Sequence, residues 1–338
     1  QETNDSRMYN LSLISLEFYR GFNLALDSLK LLGFRVEVEY FDTENDTNTC
    51  KKLMEEIQLN SFNLFVGPLF QTNFKIIANK AKEFQIPIVS PVKISSSLLL
   101  DNPFVVKGYS SSPSLVINLA NFAGEQFADS NLTIISGSDK NDARFAQIFQ
   151  KHFNNTTQDS IGINKLWQPS ATNFKRYIRE GEHNYIALIS SDEAFVSASM
   201  SLLYKMTNEK TQITILGLDS WANFKSITTD YLMNLHVLIP QHNYADYQSP
   251  TLISILKNYR SQFYIDPTIH VLSGFDIGMY FVQALSSEEF IWKNYIEQVP
   301  YNGLNSRFDF VKISDHSGYE NQGGFILEYC DYNLILKK

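Results

Sequence analysis

The sequence predicts an α/β protein built from two doubly wound, parallel-sheet lobes, and three observations predict it. Residues 61–92, SFNLFVGPLFQTNFKIIANKAKEFQIPIVSPV, run from an apolar stretch ending at Gly67-Pro68, through a polar-started helical pattern, to a second apolar stretch ending at Ser90-Pro91. Two short buried strands joined by one helix make a parallel crossover unit. The same strand–helix alternation runs along the chain in two series separated at Ser110–Pro113, and 338 residues with 44% hydrophobic content can fill two cores.

In order, Phe18, Phe22, Ala25, Leu29 and Leu32 fall on one face of a helix over 12–32 that stops at Gly33. RVEVEYFDT at 35–43 reads as a strand, and Asp46/Thr47 as caps of a helix that turns Cys50, Leu53, Met54 and Ile57 inward. The strand FNLFVGP, a helix over 72–85, and the strands IPIVSPV and PFVVKGY close the first series. The second comprises a helix over 113–129, NLTIISGS, a helix over 141–153, GINKLWQP, a helix over 171–181, NYIALISS, a helix over 192–207 and TQITILGL. LHVLIPQHNYADYQ at 235–248 reads as a further strand and polar connection, followed by helices at 249–265 and 270–286 that return to the first lobe. SRFDFVKIS, a turn at 315–324 and FILEYCDYNLILKK read as an antiparallel hairpin and terminal strand. A sheet of this kind normally opens with a strand before its first helix. The residues before Phe18 are too polar to give a convincing one, so that strand is expected to precede Gln1, the alternative being that LSLIS fills part of its place.

A formal charge of -8 leaves no basic face for phosphates, which excludes nucleic acid as a partner. No run of eighteen apolar residues spans a bilayer, and the QETNDSR start has no signal-peptide core. Cys50 and Cys330 read as two buried free thiols rather than a bridge. The six histidines show no i, i+4 pair, so no metal site is expected. Neither a GxSxG elbow, a GxxxxGK[ST] loop nor a GxGxxG turn is present, and the expectation is a non-enzyme without cofactor.

Val66-Gly67-Pro68-Leu69, Pro87-Ile88-Val89-Ser90-Pro91 and Gly274-Phe275-Asp276, in this order and spacing, resemble the type I periplasmic-binding-protein fold over almost the whole chain. Within it the sequence is similar to the Leu/Ile/Val-binding branch, and more closely to envelope lipoprotein and LysM-associated receptor domains that carry a VGPL motif. The resemblance implies three crossing segments, near Tyr109–Ser112, Gln241–Tyr244 and Asn305–Phe308, and hinge closure on a ligand. Lobe one is then 1–109 plus 243–305, and lobe two 110–242 plus 306–338.

Strand ends of open parallel sheets gather ligand groups because helix N-termini aim free amides there. The candidate ligand-binding residues are Leu69, Phe70, Gln71, Ser90 and Lys93 in one lobe and Ser138, Ser191, Asp219 and Trp221 in the other. Ser191 and Asp192 equally suit a helix cap, and Trp221 and Phe70 equally suit core plugs. In amino-acid-binding members of the resembled group, small hydroxyl residues after the GxL and SP elements help hold the ligand's carboxylate and ammonium. Here Phe70-Gln71-Thr72 and Val92-Lys93-Ile94-Ser95 stand there, while Asp219 keeps the acidic partner of the ammonium. Lys93 would attract a carboxylate or phosphate. Two readings follow. One is an extracytoplasmic receptor, periplasmic or extracellular and envelope-associated, that captures a small polar, amino-acid-like molecule for an ABC transporter in the membrane. The other is a non-transport, peptidoglycan-associated envelope module with a degenerate cleft, partnered by cell-wall assembly proteins. In either case the signal or anchor lies outside these residues.

Overall fold

A computed structural model describes residues 2–158, 160–286 and 292–337. The chain divides into two compact units, Gln1–Ser111 with Asn243–Gly323 and Ser112–His242 with Gly324–Lys338.

The first unit opens with α1 (Glu2–Leu31), followed by α2 (Thr47–Glu56), β1 (Phe65–Val66), α3 (Gln71–Glu83), β2 (Ile88–Ser90) and β3 (Val105–Lys107). LSLIS is therefore helical. Asp46 caps α2 by accepting the Thr49 N–H at 2.7 Å, as the sequence predicts. The expected strand over 35–43 differs: the segment is neither helix nor strand and pairs with no neighbour among the described residues.

The second unit carries α4 (Ser112–Phe127), β4 (Asn131–Ser136), α5 (Lys140–Thr157), β5 (Ile163–Lys165), α6 (Ala171–Phe174), β6 (His183–Ile189), α7 (Glu193–Tyr204), β7 (Gln212–Leu216), α8 (Thr229–Asn234) and β8 (Leu238–Gln241). The helix expected over 171–181 is thus a single turn. The chain then returns to the first unit as α9 (Pro250–Phe263), α10 (Ile269–Ser286), α11 (Trp292–Gln298), β9 (Tyr301–Asn302), β10 (Arg307–Phe308), β11 (Phe310–Lys312) and β12 (Tyr319–Asn321). It ends in the second unit as β13 (Phe325–Cys330) and β14 (Asn333–Leu336). Lys338, the last residue of the expected terminal strand, lies outside the described residues.

The first sheet has the order β1-β2-β3-β12-β11, parallel through β12, with β11 antiparallel at the edge. The stretch read as a turn over 315–324 therefore contains a strand, and residues 306–323 pack with the first unit rather than the second. Polarity hid this strand, because its buried polar groups are all satisfied. Glu320 pairs with Lys107 at 3.0 Å, and the Asn321 side chain accepts the Asp309 and Gly323 N–H groups while donating to the Gly108 and Arg307 carbonyls. Both faces of the sheet are covered, which is why its strands are apolar at consecutive positions. Ile88 and Val105 join Phe74, Ile77 and Cys50 of α3 and α2 on one face. Val89 and Val106 join Phe22 of α1 and Ile277, Tyr280 and Phe281 of α10 on the other. α1 and α10 cross closely at Gly274, where a Cβ would strike the Phe18 carbonyl.

The second sheet has the order β14-β13-β8-β7-β6-β4-β5, with β5, β4, β6, β7 and β8 parallel and β13 and β14 antiparallel at one side. Its core gathers Ile134, Ile186, Leu188 and Ile215 with Phe149 and Phe153 of α5 and Met200 of α7. Cys50 is buried and free, as expected; Cys330 is also free but half-buried.

Candidate functional site

In each unit the candidate residues stand at the carboxyl ends of the parallel strands, where the loops into the following helices begin. In the first unit Leu69 and Phe70 are half-buried in the connection from β1 to α3, and Phe70 is the residue before the helix, without a side-chain cap bond. Gln71 opens α3, and its Oε1 accepts the Ser95 main-chain N–H at 2.9 Å. Ser90, the last residue of β2, is fully buried and donates its hydroxyl to the Val92 carbonyl at 3.0 Å. Ser95 is committed to its own turn, its hydroxyl 2.7 Å from that of Ser97. Lys93 is exposed and forms no ion pair with the described residues. Ser96 hydrogen-bonds Glu320 at 2.9 Å and accepts from Lys107 at 2.9 Å, which ties the loop carrying Lys93 to a buried ion pair.

The second unit is organised around a residue that the sequence reading missed. Asp142, in the first turn of α5, is 1% exposed. Its Oδ1 accepts the main-chain N–H of Ser191 at 2.9 Å and the Ser191 hydroxyl at 2.8 Å. Its Oδ2 accepts the Ser190 hydroxyl at 2.7 Å. Gly137, at the end of β4, makes room for this carboxylate: a Cβ there would strike Asp142 Oδ2 and Ser190 Oγ. The signal available in the sequence was a carboxylate one turn into the helix after a Ser-Gly strand end, but its partners lie almost fifty residues downstream.

Asp192 caps α7 by accepting the Ala194 and Phe195 N–H groups at 2.9 and 3.2 Å, so the capping half of the Ser191–Asp192 reading belongs to Asp192. Ser191 itself is committed to Asp142. Trp221 is a core residue, not an open stacking face: it is 3% exposed, its ring lies against Gly217, and its Nε1–H donates to the Ser190 carbonyl at 2.8 Å. Asp219 is half-buried; Oδ2 accepts the Ser112 hydroxyl at 2.9 Å and its carbonyl accepts from Gln241 at 3.0 Å. Glu193 is held below the usual carboxylate range by the main-chain N–H groups of Ser226 and Lys225, fastening the following loop to α7. Ser138 is exposed, next to Asp139, the cap of α5.

No family model and no curated protein matches the chain. Among solved structures, a putative branched-chain amino acid ABC transporter from Rhodospirillum rubrum superposes with a TM-score of 0.68 at 12% identity, over 96% of this chain and 95% of that one. The fold is that of the type I periplasmic-binding proteins. An ABC transporter substrate-binding protein from Desulfitobacterium hafniense in complex with Leu shares it, with a TM-score of 0.57 at 12% identity over 95% of each chain. So does the C-domain of LpoA from Haemophilus influenzae, described as a regulator of PBP1A, with a TM-score of 0.59 at 13% identity over 96% of this chain and 95% of that one. In a periplasmic-binding fold the strand ends described above are where ligand-holding groups are sought, and here most of them hydrogen-bond to the chain itself.

Proposed function

We propose that the chain is a non-enzymatic, extracytoplasmic binding domain that recognises a partner in the peptidoglycan-associated cell envelope, its amino-acid half-sites having been closed from within. One observation carries this reading. Two main-chain donors beyond the strand ends that could hold a ligand carboxylate are occupied by the chain's own oxygens, Ser95 N–H by Gln71 and Ser191 N–H by Asp142. A free amino acid would have to displace a buried carboxylate bound by three donors, and replacing one satisfied set of hydrogen bonds by another yields little net free energy. The likeness to LpoA supports a regulatory module, and the descriptions of the similar proteins, substrate-binding and regulatory, support a non-enzyme outside the cytoplasm.

A second reading, capture of an amino-acid-like solute for a membrane transporter, keeps the support of Asp219, in the place of the ammonium's acidic partner, and of Lys93, exposed and without an ion-pair partner among the described residues. Thermal melts against the twenty amino acids and small peptides, run beside sedimentation with purified peptidoglycan and with envelope penicillin-binding proteins, separate the two. The module reading expects no melting shift with the solutes and co-sedimentation or complex formation in the second assay. A saturable shift with an amino acid, with no envelope binding, would replace it by the solute reading.

A further inference from the structure

Trp167 is 74% exposed, whereas the chain's other two tryptophans are covered: Trp221 is 3% exposed, and Trp292 is half-buried against the core of the first unit. Leaving so large an apolar side chain in water forgoes more burial free energy than at almost any other residue. The backbone around it is firmly placed. Lys165 ends β5, and Leu166 is buried in the core and donates its N–H to the Ser136 carbonyl at 2.9 Å. Ser170, three residues after the tryptophan, caps α6 by accepting the Asn173 N–H at 3.2 Å. Trp167 therefore projects from a short connection held at both ends. The Lys165 ammonium lies 4.8 Å from its ring centroid, a cation–π contact that orients the indole and leaves the opposite face to solvent.

The surroundings of the ring are polar. Ser136 and Lys165 are partners in the β4–β5 register, so the loop after β4 leaves the sheet beside the loop that carries Trp167, and it presents Ser138 and Lys140, both exposed. Neither Lys140 nor Lys165 forms an ion pair with a described residue. Among the described residues from 101 to 203, no other large apolar side chain is exposed. An aromatic anchor for a protein partner is set among contacts that exclude water. A lone flat ring among hydroxyl and ammonium groups instead matches a pyranose, which has an apolar C–H face to lay on the indole and a rim of hydroxyl and acylamino groups to hydrogen-bond. The two unpaired ammonium groups favour a sugar that bears carboxylates.

We propose that Trp167, Lys165, Lys140 and Ser138 form a saccharide platform in the second unit, on which one ring of an anionic, N-acylated envelope glycan stacks. This names the ligand class of the envelope module proposed above and rests on that reading. The indole supplies the stacking face, Ser138 a hydroxyl for the sugar rim, and the two lysines the counter-charge for the glycan's carboxylates. Asp139, the carboxylate between Ser138 and Lys140, is committed to the Asn141 N–H as the cap of α5.

The test uses the 338-residue chain, with purified peptidoglycan for sedimentation and its soluble disaccharide-peptide fragments for fluorescence. Because Trp167 is the exposed indole, the fragments should shield the protein's emission from acrylamide, and neutral chitotetraose should shield it less. Trp167→Ala is expected to weaken peptidoglycan binding at least about fivefold, with the parent's melting temperature. Undiminished sedimentation of that variant overturns the platform and leaves the envelope reading standing. If the variant instead loses only a complex with an envelope penicillin-binding protein, the ring is a protein contact and the platform is again overturned. Equal shielding by chitotetraose and the fragments overturns the assignment of the lysines to a carboxylate. A parent chain that binds neither peptidoglycan nor envelope proteins removes the envelope reading and the platform together.

Discussion

Asp142 and Ser191 are joined twice, one carboxylate oxygen accepting both the main-chain N–H and the hydroxyl of the serine, at 2.9 and 2.8 Å. The pair closes the end of β6 from within, and the other carboxylate oxygen does the same for Ser190. If this carboxylate fills a ready-made anion position, deleting it should leave that position able to take a small anion from solution. Asp142→Ala is expected to cost about 1–3 kcal/mol, because the buried Ser190 hydroxyl and both donors of Ser191 lose their acceptor. Formate or acetate should then raise the melting temperature of the variant and not that of the parent. Equal salt responses in the two proteins would remove the interpretation.

Lys107 and Glu320 form an ion pair that is almost completely buried, at 1% and 6% exposure. Lys107→Met strands the glutamate and should destabilise by about 3–5 kcal/mol, whereas Lys107→Met combined with Glu320→Leu should recover most of the loss. Urea unfolding of the four proteins in the cycle decides it. A single substitution costing less than the double one contradicts the expectation.

Asp276 sits in α10 and accepts the N–H groups of Leu304, Asn305 and Ser306 at 2.7, 2.9 and 2.8 Å. Burial pushes its carboxyl up to about 6, against the pull of those donors. The folded chain therefore holds the proton more tightly than the unfolded chain, whose carboxyl titrates near about 3.9. This contribution to stability is complete below the lower value and is lost as pH rises through the upper one, in all about 3 kcal/mol. Relative to Asp276→Asn, the parent's unfolding free energy should fall between about pH 4 and pH 7. A difference that is flat, or that grows with pH, is the contrary result.

Lys93 and Asp219 should respond differently to truncation. Lys93→Ala removes an exposed side chain and should change stability by less than about 0.5 kcal/mol. Asp219→Ala deprives the Ser112 hydroxyl of its acceptor and should cost about 1 kcal/mol. Equal melting temperatures for the two variants would mean that the Ser112 contact has no energetic weight.

Much of the fold was legible because the first sheet is covered on both faces. Ile88-Val89 and Val105-Val106 are apolar at adjacent positions, and the intervening helices show their caps and inner faces directly, as at Asp46 and Asp192. What was not legible depended on distant partners. Tyr319–Asn321 looks like part of a turn because Glu320 and Asn321 are polar, and only Lys107, Gly108 and Arg307 make that polarity compatible with a strand. Residues 35–43 have a strand's pattern, but pattern does not supply a neighbour. The sequence put Ser191 at a strand end but counted it as a free donor, because nothing local to it announces that Asp142 claims its hydroxyl.

Two strands late in the chain, β12 and β13, occupy interior places in the two sheets: β12 lies between β3 and β11, and β13 between β8 and β14. On a ribosome, α4 through β8 emerge long before the strand that backs β8, and the first sheet waits for residues around 320 before β3 gains its second neighbour. Neither unit can mature as a contiguous N-terminal piece. Fragments that stop short of β12 and β13 expose strand edges to other chains, so the nascent polypeptide needs protection until residues 319–330 have emerged, and truncation ahead of β12 should damage both units together.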